Sequence, residues 1–169
     1  VAPRIAPPPA VVPAPAAPTP GDSLLIVTPR ARYRFNSVGA ALDAAELPGH
    51  RSFRGAGPVN LVRPGDRLLV YRLVVGADTL AFDDVPFAMS PSGDGAAFSA
   101  SRGALRLNVA YARTPGRNFG LDVAGAIDGL EGRGALLLVS LGTGIANVEA
   151  DSLDNYRRYG VVGRSAQTV

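Results

Sequence analysis

Alternation of apolar and polar residues between positions 103 and 141 restricts most strongly what this chain can fold into. In its first segment, Leu105, Leu107, Val109 and Tyr111 occupy every second position, and a second segment repeats the alternation. Because successive side chains of a strand point to opposite faces, this period predicts β-strands with one buried face. Two short polar turns divide the run into three apolar segments, so we expect neighbouring strands to pair antiparallel.

Short apolar segments also precede this run, separated by turns that contain glycine and proline. We expect roughly seven to nine strands, a number and spacing typical of sandwiches and barrels. The predicted fold class is therefore all-β: an antiparallel β-sandwich, or a small barrel, with one or two short helices and an extended Pro-rich N-terminal arm.

The two helix predictions depend on capping residues. Residues 37–47 begin with Ser37, a good N-cap, and precede Pro48, which would end a helix. Residues 151–159 begin with Asp151 as a candidate N-cap and precede Gly160. Both segments therefore favour short helices.

The chain divides into three parts by composition. Residues 1–21 form the arm, residues 22–148 the antiparallel β-domain, and residues 149–169 a short C-terminal helix and tail. Proline has no amide donor and a fixed φ, so neither a helix nor a central strand can form in the arm. Polyproline II is its expected conformation. We expect the arm to lie along a partner, with a disordered spacer as the alternative, and its contact candidates are Pro7, Pro8, Pro9 and Pro13.

Composition suggests a chain whose surface is partly covered. Hydrophobic residues make up 47% of it and charged residues only 18%, against an average of about 25% charged residues in soluble domains. The net charge of +3 is too small and too evenly distributed to suggest nucleic-acid binding. Cysteine is absent, which excludes a disulfide framework and thiolate metal sites.

Two clusters of basic and aromatic residues are the other candidates for partner binding. If residues 30–35 form a strand, alternation places Arg30, Arg32 and Arg34 on one face, where they repel each other unless acidic groups face them. An acidic partner or anionic lipid headgroups would satisfy them, and a solvated edge is the alternative. The second cluster, on the predicted C-terminal helix, consists of Tyr156, Arg157 and Tyr159.

A search for catalytic chemistry finds no site. Residues 21–24 spell Gly-Asp-Ser-Leu, the signature of the GDSL hydrolases, but the Asp-x-x-His block that supplies the base in that family is missing. We interpret the tetrapeptide as a turn into the first strand. His50 is the only histidine, and we expect it to be a surface residue. No catalytic residue, cofactor or metal site is predicted.

These observations lead to a functional hypothesis. We expect a non-catalytic structural or accessory subunit of a larger, membrane-associated complex, such as an energy-transducing or envelope assembly, with other protein subunits as partners. Pro/Ala-rich arms often come directly after a removed secretory signal, so we expect an extracytoplasmic location in the periplasm or cell envelope. The alternatives are a β-module that binds a lipid or glycan, and a hydrolase without a recognisable motif.

Overall fold

The computed structural model describes residues 21–53 and 55–148, and these residues form eleven β-strands and no α-helix. The strands are β1 (Ser23–Val27), β2 (Arg32–Asn36), β3 (Leu42–Arg51), β4 (Pro58–Asn60), β5 (Val70–Val75), β6 (Asp78–Ala81), β7 (Ala88–Ser92), β8 (Gly95–Arg102), β9 (Leu105–Arg113), β10 (Leu121–Asp128) and β11 (Ala135–Ser140). The all-β prediction is therefore confirmed for these residues.

The strands form three antiparallel sheets. The first sheet has the order β1-β2-β3-β4, the second β10-β9-β8-β7, and the third β11-β5-β6. Each sheet is open, with two edge strands, so the described residues close no barrel. The first and third sheets are joined where Leu42 and Leu68 exchange backbone hydrogen bonds of 2.9 Å. Buried residues from all three sheets form one hydrophobic cluster, which gives the molecule a sandwich-like core.

The alternation that predicted strands after position 103 is seen most clearly in β9. Leu105, Leu107, Val109 and Tyr111 are all buried, while Arg106 between them is exposed. β9 pairs antiparallel with β10, as the short turn between them predicts. The expectation fails at the next turn, because β11 pairs with β5 of the third sheet rather than with β10. The turn at residues 129–134 therefore carries the chain from one sheet to another.

The helix predicted over residues 37–47 is wrong. Gly39 and Ala40 have φ of 80° and 48°, which a right-handed helix does not contain. β3 then begins at Leu42, and its pairing with β2 and β4 supplies the backbone hydrogen bonds that a helix would have made internally. Tertiary pairing thus overrides a local sequence that suits a helix. The predicted helix over residues 151–159 and the arm over residues 1–20 lie outside the described residues.

An aromatic cluster fills the centre of the core. The ring of Tyr111 lies 4.1 Å from that of Phe35 and 5.7 Å from that of Phe98, measured between centroids. The Tyr111 hydroxyl donates to the backbone carbonyl of Ala40 at 3.1 Å and is hydrogen-bonded to the hydroxyl of Tyr71. All four side chains that meet here are at most 1% exposed. Burial raises the pKa of both tyrosine hydroxyls above the usual value.

Substitution of Gly129 by alanine tests how tightly the turn after β10 is packed. A Cβ at Gly129 would lie 2.1 Å from the carbonyl oxygen of Ala104, whereas a Cβ at Gly132 would meet nothing within 4 Å. Both glycines have positive φ, so alanine strains the backbone at either position. We expect Gly132→Ala to cost about 1 kcal/mol of unfolding free energy and Gly129→Ala at least about 2 kcal/mol more. Urea unfolding of both variants measures the difference, and equal costs would contradict the packing of Gly129.

The buried tyrosine pair predicts loss of stability in alkali. Because the pKa of Tyr71 and of Tyr111 is raised in the folded state, the unfolded chain loses these protons first, near pH 10. The two tyrosines therefore contribute fully to the unfolding free energy below pH 10. Above pH 10 the unfolding free energy falls by about 1.4 kcal/mol per pH unit for each tyrosine that keeps its proton in the folded state. The chain has no lysine, so few other side chains titrate in this range.

Urea unfolding between pH 8 and pH 11 measures this slope. Tyr71→Phe removes one hydroxyl of the buried pair and leaves the bond from Tyr111 to Ala40 in place. The variant should therefore show a shallower fall above pH 10, and an unchanged slope would contradict the assignment.

Candidate functional site

Of the three arginines predicted as a binding cluster, two lie on the first sheet and one lies in the turn before them. Arg30 is exposed in the turn after β1, and Arg32 and Arg34 are exposed on β2. Tyr33 and Phe35, which follow them in the alternation, are buried in the core. The strand therefore separates cations from rings as the sequence predicts.

Two exposed apolar side chains share this surface. In the pairing of β1 with β2, Leu25 lies opposite Arg34 and Val27 opposite Arg32, which places each pair on one face of the sheet. Leu25 is 53% exposed and Val27 is 52% exposed. We call the surface made by Leu25, Val27, Arg32 and Arg34 the β1–β2 face, and Arg30 lies in the turn between its two strands. Leu25 and Val27 were not predicted as contact residues. The uninterrupted apolar run at residues 24–27 was the available signal, because a strand with apolar residues on both faces exposes one of them unless a further layer packs on it.

The β1–β2 face carries carboxylates of its own. The Nε of Arg34 donates to Asp43 at 2.7 Å, and this hydrogen bond, followed by the charge of Asp43 and then by that of Glu46, raises the pKa of Arg34. Glu46 lies opposite Arg32 in the register of β2 with β3. The repulsion expected along the arginines is therefore reduced from within the chain, and the surface alternates in charge.

A loop from the second sheet supports the β1–β2 turn. The hydroxyl of Thr28 donates to the carbonyl of Asn118 at 2.6 Å, and the amide of Arg30 donates to the same oxygen at 3.3 Å. The hydroxyl of Tyr33 donates to the carbonyl of Phe119 at 2.8 Å. These bonds hold the backbone of the β1–β2 turn in place, so the position of Arg30 is set by tertiary contacts.

A shallow cavity lies beside the arginines. It has a volume of about 350 Å³ and is lined by Pro29, Arg30, Pro48, Gly49 and His50. His50 is exposed, as the sequence predicts. A cavity with an arginine and a histidine in its wall suits a carboxylate from a partner.

The other predicted contact residues cannot be placed on this surface. Pro7, Pro8, Pro9 and Pro13 of the arm, and Tyr156, Arg157 and Tyr159 of the tail, lie outside the described residues. Within residues 21–53 and 55–148, no group of three or more His, Cys, Asp or Glu side chains is arranged to hold a metal ion. No helix in this part of the chain is long and apolar enough to cross a membrane.

The ion pair of the β1–β2 face should contribute little to folding. Arg34 is 53% exposed, and exposed pairs of this kind contribute less than about 1 kcal/mol. We therefore expect Arg34→Gln to lower the unfolding free energy by less than about 1 kcal/mol, with the difference vanishing in high salt. Urea unfolding at low and high ionic strength measures this, with Arg72→Gln on β5 as the control. A loss above about 2 kcal/mol would mean that Arg34 serves mainly the fold.

No family model matches the chain, and neither a curated protein nor a solved structure matches it. Any role of the β1–β2 face therefore has to be argued from the charge, exposure and contacts of its own residues.

Proposed function

We propose that this chain is a non-catalytic structural or accessory subunit of a larger, membrane-associated extracytoplasmic complex, and that it docks on another protein subunit through the β1–β2 face. One observation carries the proposal: Leu25 and Val27 are half exposed and lie directly opposite exposed arginines on a paired sheet. Arginine is enriched in protein interfaces, where neighbouring apolar groups exclude water from it.

Each part of the β1–β2 face has a distinct physical role in docking. Burial of the exposed halves of Leu25 and Val27 would contribute about 1 kcal/mol each. The arginines add direction more than strength, because complementary charge selects the partner and orients its approach. A partner with apolar side chains flanked by carboxylates fits this pattern.

The carboxylates of the face favour a protein partner over a lipid surface. Asp43 bonds to Arg34, and Glu46 lies opposite Arg32. On a surface of anionic lipid headgroups, both carboxylates would lie next to negative charge, whereas a protein surface can place cations beside them. Membrane association is therefore proposed to come through the partner subunit.

The extracytoplasmic location belongs to the same proposal. It is supported by the Pro/Ala-rich composition of residues 1–21 and by the low content of charged residues in the whole chain. Fractionation of cells that produce the full chain tests it, with recovery in the periplasmic or envelope fraction expected.

Native gel filtration of a mild detergent extract tests the docking. We expect the full chain to elute with a particle far heavier than two copies of its 17.4 kDa mass. Arg32→Glu combined with Arg34→Glu should reduce the particle-bound fraction at least tenfold, because two attractive charges become repulsive. Arg72→Glu combined with Arg106→Glu is the matched control, since both arginines are exposed on other sheets, and it should stay in the particle.

A second variant separates docking from folding. Leu25→Ala with Val27→Ala removes apolar surface without changing charge, and circular dichroism checks that each variant is folded. Elution of the wild-type chain at the mass of one or two copies would overturn the proposal. Flotation of the purified chain with phosphatidylglycerol vesicles, lost in the Arg32→Glu and Arg34→Glu variant, would replace the protein partner with lipid.

A further inference from the structure

The edge strands of the three sheets differ in how they are protected. β7 contains Pro91, β4 has only three residues and begins with Pro58, and β6 has only four. A register shift also interrupts the pairing of β3 with β4. Proline, short length and irregular register are common devices that prevent an edge from pairing with another chain.

β10 and β11 lack these devices, and so does the five-residue edge strand β1 of the first sheet. β10 has eight residues and β11 has six, neither contains proline, lysine or arginine, and each pairs with its neighbour without a register shift. Within the part of the chain that the structure describes, neither strand pairs with anything on its outer edge. β11 is apolar at five of its six positions, with Leu136 59% exposed and Leu138 44% exposed.

β10 and β11 lie beside each other. A Cβ at Gly125 of β10 would lie 3.3 Å from a methyl group of Leu137 on β11, so the two strands approach closely at this point. Val123 on β10 and Val139 on β11 are 49% and 46% exposed. In register they lie opposite the buried Tyr111 and Tyr71, so each belongs to the face of its sheet that packs on the core. The core is therefore incompletely covered along this seam, which we call the β10–β11 edge.

We propose that the β10–β11 edge is the interface of a two-fold symmetric dimer, in which β10 pairs antiparallel with β10 of a second copy and β11 with β11. A two-fold axis places β10 beside β10 of the second copy and β11 beside β11 of the second copy. The free backbone groups of both strands can therefore form hydrogen bonds in the same dimer. A single strand from another protein would hydrogen-bond only one edge, since packed sheets lie about 10 Å apart.

The sequence of β10 selects a register for this dimer. Two registers near the middle of β10 keep the core-facing residues of both copies on the same face. In one, Ala124 pairs with Ala124 of the second copy, and in the other, Gly125 pairs with Gly125 of the second copy. The Gly125 register would set Asp122 opposite Asp128, which places like charges together. The Ala124 register sets Leu121 opposite Ile127 and Val123 opposite Gly125, which covers the exposed apolar row.

Cysteine cross-linking tests the register directly, because the chain has no cysteine of its own. In the proposed dimer the Cα atoms of the two Ala124 residues lie about 5 Å apart, within reach of a disulfide. Ala124→Cys should therefore give a covalent dimer on mild oxidation. Ala110→Cys is the matched control, since Ala110 is exposed and lies directly opposite Ala124 on β9, one strand further from the axis. It should remain uncross-linked.

Sedimentation of the purified full chain measures the dimer itself. The wild-type chain should sediment as two copies at micromolar concentration, and Leu138→Lys should weaken the dimer at least tenfold by placing a charge at the apolar edge. Thr79→Lys, on the protected edge β6 of the same sheet, should leave it unchanged. The β1–β2 variants should also dimerise normally, so failure of the docking proposal and failure of the dimer are distinguishable.

Two results would overturn the dimer. One is a wild-type chain that sediments as a single copy. The other is equal cross-linking of Ala124→Cys and Ala110→Cys, which would indicate random collision. If the chain is a single copy, resistance of the β10 and β11 amides to hydrogen exchange would show that residues 1–20 or 149–169 of the same chain cover the edge.

Discussion

The hydroxyl of Tyr111 connects all three sheets at the centre of the molecule. From β9 it donates to the carbonyl of Ala40, just before β3, and it bonds to the hydroxyl of Tyr71 on β5. The ring of Phe35 packs against the ring of Tyr111. Because a buried polar group without a partner is costly, these groups must be brought together correctly for any of them to be buried. The positions of the sheets therefore depend on this contact.

The hydrophobic core leaves parts of the edge strands uncovered, and these parts give the surface its exposed apolar side chains. Phe35, Phe98 and Tyr71 around Tyr111 are fully buried, whereas the edge strands β1, β10 and β11 keep apolar groups in solvent. Two such surfaces exist in the described residues, and they differ in chemistry. The β1–β2 face offers side chains of both polarities from two paired strands. The β10–β11 edge offers free backbone groups and aliphatic side chains. The first suits a partner of complementary charge, and the second suits a copy of itself.

Particular residues show why some of this could be predicted and some could not. The alternation in β9 and β2 depends only on neighbouring positions, so the burial of Tyr111 and Tyr33 and the exposure of Arg32 and Arg34 were predictable. The partner of a strand depends on the whole chain, so the pairing of β11 with β5 was not. The helix prediction for residues 37–47 failed because capping residues are local signals, whereas the strand that forms there is stabilised by pairing with β2 and β4.

Sequence alone determined the all-β class, the face on which Arg32 and Arg34 lie and the excess of apolar residues, because these depend on side-chain period and composition, whereas the structure has eleven strands rather than the seven to nine expected. Tertiary structure decided which apolar residues lack a cover, which carboxylates meet Arg34 and Arg32, and which edges remain open. These properties depend on contacts between residues far apart in the chain, such as Thr28 with Asn118 and Gly125 with Leu137. Local patterns carry no information about such contacts, since they arise only when the sheets pack.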